Sequence, residues 1–357
     1  MSRMSFASRT PLQIGVVVPM QGPGGIFGPS CIAVSEMAAA ELNATDGIDG
    51  RPVEMVYIDG GQQPSAVAAE VEDRLRRSEI DAITGWHISS VRRVLEPVVR
   101  GQIPYVYTSL FEGEERARGV YCSGETPDQQ IFPAIAWLRE NLGIRKWHVV
   151  GAQYVWPVES LHQFARHAAE LGVEIVGTSF VQMGKGADPR LPAEVAASQC
   201  DGVLMLLVGQ DAVEFNRSFT ESGLAERVMR YSPLMDENML LASGPEATAN
   251  LYCSAAYFSS LATEDALDFL GRYVDLAGGP SAPSLNNMAQ SCYQGIQTLV
   301  ELAKKSGAFG VDDFDRVIDG LTFTGPRGVV RYDGNQAVQA VHMARADIFN
   351  FDVMGAL

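Results

Sequence analysis

The chain has few positive charges for its size and no long apolar run. Its 357 residues carry 27 lysines and arginines against 43 acids, which gives a formal net charge of −16. An acidic surface repels phosphate, so this composition argues against direct binding to nucleic acid. No window approaches the ~20 consecutive apolar residues of a membrane span, and we therefore expect no membrane insertion.

Cysteine is scarce, and its positions suggest no pairing. No two of the cysteines form a C-x-x-C spacing, and they lie at Cys31, Cys122, Cys200, Cys253 and Cys292. An odd, scattered set predicts reduced and mostly buried thiols, which are typical of the cytoplasm. The first residues also lack the apolar segment of a secretory signal. We expect a cytoplasmic protein with a flexible N-terminus at 1–10; a leader removed from the chain would make it periplasmic.

The motifs of nucleotide-binding proteins, hydrolases and metal sites are missing as well. Gly22 and Gly24 begin a G-x-G-x-x-G string, but Phe27 occupies its third glycine position. Neither G-x-x-x-x-G-K-[ST] nor the G-x-S-x-G of a nucleophile elbow occurs. The five histidines show no metal-ligand spacing. No catalytic residue, cofactor or metal site is therefore predicted.

What the chain does contain is a regular alternation of strand-like and helix-like segments. Predicted strands are residues 14–18, 53–57, 82–84, 105–107, 147–151, 174–180, 202–208 and 252–258. Predicted helices are residues 29–43, 64–77, 90–101, 130–142, 158–171, 191–198, 263–276 and 287–305. This alternation predicts an α/β fold in which helices cover both faces of parallel sheets.

The length exceeds that of one ordinary domain, which favours two Rossmann-like lobes. We expect three strands to cross between them, near 121–126, 253–258 and 324–331. Lobe 1 would then comprise 11–122 and 256–325, and lobe 2 would comprise 123–255 and 326–357. Ligands bind beyond the carboxyl ends of parallel strands, so the Gly-rich turn after the first strand is expected at the rim of a cleft.

Two segments of the first lobe could carry chemistry. In Thr84–Leu95 a strand runs into a helix capped by Ser89 or Ser90, where free backbone N–H groups suit a ligand carbonyl or carboxylate. Plain helix capping is the alternative. In Tyr105–Gly113 a strand runs into a loop whose hydroxyls could fix a polar group while its rings exclude water. Aromatic residues at strand ends are also common in protein cores.

Two segments of the second lobe could face the first. Tyr154 and Trp156 flank the turn in Gly151–Ser160, and residues at i and i+2 beyond a strand can face one cleft. The loop around Asp236 and Glu237 carries two acids, either of which would suit an ammonium or an amide NH₂. For Asp236 a solvated acidic loop is the favoured interpretation.

Together these segments resemble the type I periplasmic (solute-binding) proteins over nearly the whole chain. Within that family they look closest to the cytoplasmic amide-sensing regulators of aliphatic amidase operons, the amide and urea branch. The likeness rests on Gly85–Ser89, Tyr107–Gly113 and Tyr154–Ser160. It implies two lobes that close around a small solute, with ligand contacts from Ser89, Tyr107, Ser109, Tyr154, Trp156, His87 and Leu110, and with Glu237 holding any ammonium group.

Three of these positions depart from the pattern of the amide sensors. His87 stands in place of a phenol, Leu110 in place of a proline and Trp156 in place of a smaller ring, which favours a ligand other than acetamide itself. The resemblance implies a non-enzymatic regulator of amide and nitrile metabolism that partners an RNA-binding antiterminator and could form homo-oligomers. The alternative is the receptor of an ABC importer for amides, urea or branched-chain amino acids, whose partner is the permease.

Overall fold

The computed structural model describes residues 10–357, so the predicted flexible N-terminus lies outside it except for Thr10. Elements are numbered in chain order. The helices are α1 Gly28–Asn43, α2 Pro64–Arg76, α3 Ser89–Val99, α4 Ile131–Leu142, α5 Val155–His167, α6 Arg190–Ser198, α7 Gln210–Glu221, α8 Glu237–Ser243, α9 Glu264–Leu276, α10 Asn287–Ser306 and α11 Val311–Asp315.

Two sheets form the cores of two lobes. The sheet of lobe 1 contains β1 Leu12–Val18, β2 Val53–Asp59, β3 Ala82–Gly85, β4 Tyr105–Tyr107, β5 Val120–Cys122, β11 Thr322–Gly325, β12 Gly328–Asp333 and β13 Gln336–Val338. The sheet of lobe 2 contains β6 Lys146–Ala152, β7 Glu174–Val181, β8 Gly202–Leu206, β9 Met229–Ser232, β10 Leu251–Ala255, β14 His342–Asp347 and β15 Asn350–Ala356. The strand orders are 11-12-13-5-4-3-1-2 and 15-14-10-9-8-6-7.

The predicted two-lobed α/β architecture is confirmed. Strands β1 to β5 pair in parallel, as do β6 to β10. In β1, Ile14 and Val16 join the core formed with α1 and α10, whereas Val17 joins the core formed with α2 and α3. A strand buried on both faces reads as a continuous apolar run, which is why periodicity located these strands well.

The chain passes from lobe 1 to lobe 2 after β5 and returns after β10. The expected third crossing at 324–331 is wrong, and so is the placement of 326–338 in lobe 2. That segment is a tight hairpin, in which β11 pairs antiparallel with β12. Gly328, at φ 82°, supplies the left-handed turn that reverses the chain. The third crossing lies between β13 and β14, at residues 339–341.

Two further properties of the described part of the chain bear on the sequence predictions. The five cysteines are buried and none forms a disulfide, which confirms the prediction of buried thiols. Within residues 10–357 no helix combines the length and hydropathy that crossing a bilayer requires.

Candidate ligand-binding cleft

A cavity of about 360 Å³ lies between the lobes, at the carboxyl ends of strands from both sheets. Its walls follow β1, β2 and β3 in lobe 1 and β6, β7 and β8 in lobe 2, where ligands bind in folds of this class. The residues that line it are Pro19, Gln21, Gly22, Pro23, Gly24, Gly60, Gly61, Gln62, Gln63, Pro64, Trp86, Ile88, Ser90, Tyr154, Met183 and Val208. None of these described residues is charged. The prediction that the Gly-rich turn forms the rim is confirmed.

The two lobes meet closely around this cavity. Gly209, the residue before α7 in lobe 2, lies directly against the carbonyl oxygen of Pro23 in lobe 1. Its φ of 51° and ψ of −118° are conformations that glycine adopts readily and other residues do not. On another side of the seam, Gln163 Nε2 donates a hydrogen bond of 2.6 Å to the carbonyl of Glu112. The structure therefore shows a closed arrangement.

Ser89 has a buried hydroxyl beside the cavity, whose lining includes its neighbours Ile88 and Ser90 but not Ser89 itself. It is the first residue of α3, and it is 1% exposed. Its Oγ lies near the Tyr107 hydroxyl but forms no normal hydrogen bond to a described residue. The backbone N–H groups of Ser89 and Ser90 are at a helix start, where no preceding turn accepts from them. A buried hydroxyl without a partner is costly, so this point suits the carbonyl oxygen of a solute.

Tyr107 and Ser109 are bonded to the backbone that leads into α3. The Tyr107 hydroxyl donates to the carbonyl of His87 at 2.9 Å. Ser109 Oγ donates to the same carbonyl at 2.7 Å and lies 2.9 Å from the His87 N–H, which donates to it. These hydroxyls fix the turn that presents Ser89.

His87 is not a ligand contact in this structure, contrary to the expectation. Its Nδ1 lies 3.0 Å from the Val17 carbonyl and its Nε2 lies 2.6 Å from the Tyr105 hydroxyl. Nδ1–H donates to the carbonyl, so Nε2 accepts from the tyrosine. The imidazole is 0% exposed and points into lobe 1. Burial lowers the pKa of His87 to about 4.

We predict an acid-dependent loss of stability from His87. Unfolded histidine has a pKa near 6.5, so the unfolded chain takes up the proton first as the pH falls. The free energy of unfolding should therefore fall as the pH drops from 6.5 towards 4, by about 3 kcal/mol from this group. Urea unfolding between pH 7.5 and 4.5 should show a shallower pH dependence in His87→Gln, with the exposed His162→Gln as control. Equal slopes in wild type and His87→Gln would contradict it.

Of the two aromatic residues predicted to face the cleft from lobe 2, Tyr154 lines the cavity and Trp156 lies in the core. Tyr154 precedes α5, lines the cavity and is half-buried. Burial raises its pKa well above the usual value, and Tyr107 and Glu112 of lobe 1 add to this. Trp156 lies 6.4 Å from Tyr154 between ring centroids, but it is buried in the core, as is Leu110. These two residues are packed behind the cavity wall.

The two acids of lobe 2 differ in what they contact. Glu237 accepts a hydrogen bond from the Ser259 N–H at 2.8 Å. Asp236 accepts from the Met239 N–H through Oδ1 at 2.8 Å, and its Oδ2 has no partner among the described residues. The solvated-loop interpretation of Asp236 is wrong, because the residue is 1% exposed. Burial raises its pKa to about 8.

Helix α8, which Asp236 caps, contacts residues 23–27 of lobe 1. Burial raises the pKa of Cys31, in the first turn of α1, and Cys292 and, less strongly, the charge of Asp236 add to this. Sequence reasoning named Asp236 but favoured a solvated loop for it, and it missed the cavity residue Trp86. Both follow a strand end, which is the signal that could have found them. Among residues 10–357 no group of three or more histidines, cysteines or acids is placed to hold a metal ion.

The chain is similar to known proteins both in sequence profile and in fold. A sequence profile of the family described as "Periplasmic binding protein" matches residues 11–350. A solute-binding protein of an ABC transporter from R. palustris, in complex with benzoate, superposes with a TM-score of 0.82 at 20% identity, covering 97% of this chain and 96% of that one. The substrate-binding protein LivJ from Streptococcus pneumoniae, in complex with isoleucine, gives 0.83 at 17%, with 97% and 99% covered. The leucine-binding protein LivK from Thermotoga maritima gives 0.85 at 18%, with 97% and 98% covered.

Proposed function

The chain belongs to the periplasmic binding protein family, and we propose that it is a receptor whose lobes close over a small uncharged amide or urea-type solute. Binding without chemical turnover is the proposed activity. Contacts that the solute makes with both lobes would shift the balance between open and closed forms. The proposed ligand class rests on the cavity at the strand ends, whose lining contains no charged side chain.

An amide matches the polar groups at the seam. Its carbonyl oxygen would accept from the Ser89 hydroxyl or from the N–H groups at the start of α3. Its NH₂ group would donate to an oxygen of lobe 2. The Tyr154 hydroxyl, on a residue that lines the cavity, is the first candidate, and the unpartnered Asp236 Oδ2, outside the lining, is the second. A carboxylate such as benzoate would enter a cavity that offers no lysine or arginine, and a buried unpaired charge is strongly disfavoured.

The unpartnered oxygen of Asp236 favours one second candidate, an amino acid. An α-ammonium group could pair with this carboxylate once it loses its proton, and Glu237 beside it would add negative charge. The amino acid's own carboxylate would then rely on the start of α3 alone. We rank this candidate below the amide for that reason.

We also propose that the receptor serves an ABC importer in the periplasm, with a membrane permease as partner. The solved structures that share its fold include solute-binding proteins of ABC transporters, which favours import over the antiterminator-linked regulation suggested by the sequence. Fractionation of the source cells separates the two roles, because a periplasmic location fits only the receptor.

A thermal-shift screen tests the ligand class. Acetamide, propionamide, butyramide, urea, benzoate and isoleucine would each be added to the whole chain at pH 7. A ligand that binds only the folded state raises the melting temperature by mass action. We expect amides or urea to raise it and benzoate and isoleucine to leave it unchanged. A shift with isoleucine alone would select the amino-acid candidate, and a shift with benzoate would refute the uncharged-ligand proposal.

A further inference from the structure

Glu125 connects the ligand side of lobe 1 to two of the crossings. It lies on the first crossing and is buried. Its backbone carbonyl accepts a hydrogen bond from the Phe111 N–H at 2.9 Å, two residues beyond Ser109. Its carboxylate accepts from the Ala256 N–H at 3.1 Å, where the second crossing begins. One residue therefore contacts the loop behind the cavity and both of these connections.

Arg327 attaches Glu125 to the body of lobe 1. It lies in the β11–β12 turn, and its side chain is fully buried. Its guanidinium is 3.5 Å from Glu125 Oε1. It also donates to the Asn287 carbonyl at 3.1 Å, to the Asn287 Oδ1 at 2.9 Å and to Gln290 Oε1, all on α10. We call Glu125, Arg327, Asn287 and Gln290 the hinge clamp.

The residues around the hinge clamp are closely packed and hydrogen-bonded to one another. Gly124, next to Glu125, packs directly against the carbonyl of Ser109, where a side chain could not fit. Gln339, on the third crossing, donates to the Ser123 carbonyl at 3.0 Å. Gln130 donates to the carbonyls of Pro233 and Ser254 in lobe 2. These contacts attach the crossings beside Glu125 to both lobes.

We propose that the hinge clamp sets the balance between the open and closed lobes, which makes Arg327 and Glu125 positioning residues for solute binding. This inference rests on the proposed function, in which the lobes close over a solute. A buried ion pair that fits one arrangement of the crossings favours that arrangement, because separating or hydrating the pair changes its energy. The apparent affinity then depends on groups that never touch the solute.

The test compares two buried arginines. Arg327→Gln removes the clamp, whereas Arg230→Gln removes an equally buried guanidinium that bonds only within lobe 2, to Asn216 and to the carbonyls of Ala247 and Ala249. Solution scattering on the ligand-free chain should show a larger radius of gyration for Arg327→Gln than for wild type. Arg230→Gln should lower stability and leave the radius unchanged.

Titration with propionamide supplies the second readout. We expect the dissociation constant to be about tenfold larger for Arg327→Gln than for wild type and unchanged for Arg230→Gln. A folded Arg327→Gln chain with the wild-type radius would overturn the proposal, as would an equal change in both variants. Should Arg327→Gln fail to fold, Glu125→Gln, which keeps an acceptor for Ala256, must still enlarge the radius. If wild type binds no amide, the proposed function fails, while the scattering comparison still decides the clamp.

Discussion

Replacing Gly209 with alanine is expected to hold the lobes apart and to weaken solute binding about a hundredfold or more. The added Cβ would lie less than 3.0 Å from the Pro23 carbonyl oxygen across the seam, and backbone atoms on both sides cannot easily move away. The closed form would lose free energy relative to the open form, in which this contact is broken. Because the solute needs both lobes, its affinity falls with the closed population.

Alanine at position 209 also strains the backbone inside lobe 2, so a matched control is needed. Gly223 follows α7, has φ 73° and has no atom within 4 Å of an added Cβ. Gly223→Ala should therefore lose some stability from the left-handed conformation but keep its affinity. Calorimetric titration with the amide that gives the largest thermal shift measures both variants. Equal affinities for Gly209→Ala and Gly223→Ala would refute the closure contact.

Ser89→Ala should weaken binding about ten- to hundredfold without destabilising the ligand-free protein. The hydroxyl lies near that of Tyr107 but has no normal hydrogen bond among the described residues, so its removal relieves the burial of an unpaired polar group. In the complex, the carbonyl oxygen of the solute would lose its hydrogen-bond donor while staying buried. An unsatisfied group of this kind costs about 1–3 kcal/mol.

Ser243→Ala is the matched control for Ser89→Ala. Ser243 ends α8, is buried and also has a hydroxyl without a described partner, but unlike Ser89 it is not next to residues that line the cavity. Its removal should leave both the melting temperature and the affinity near wild type. If Ser89→Ala bound the solute as well as Ser243→Ala does, the placement of the solute at the start of α3 would be wrong.

The local sequence pattern predicted the strands and helices better than it predicted where the chain crosses between the lobes. The parallel strands were found because continuous apolar runs are specific for strands buried on both faces. The third crossing was misplaced because Gly325–Gly328 carries turn residues that fit either a crossing or a hairpin. Only the pairing of β12 with β11 and β13 distinguishes them.

Of the eight residues predicted as ligand contacts, the described cavity lining includes Tyr154 alone. Sequence places His87 and Ser89 beyond the same strand end, yet it does not tell that both are buried beside the cavity wall. Here the Val17 carbonyl and the Tyr105 hydroxyl, both distant in sequence, draw the imidazole inward. Asp236 looked like a solvated acid because the acidic loop sequence around it gives no sign that the fold buries it. Such information is tertiary and has no local signal.

Calorimetric titration of the whole chain with propionamide, benzoate and isoleucine at pH 7 decides whether the cleft takes an uncharged amide. We expect one saturable site for the amide and no heat of binding for the other two. Saturable binding of benzoate or isoleucine, with none for any amide or urea, would contradict this expectation.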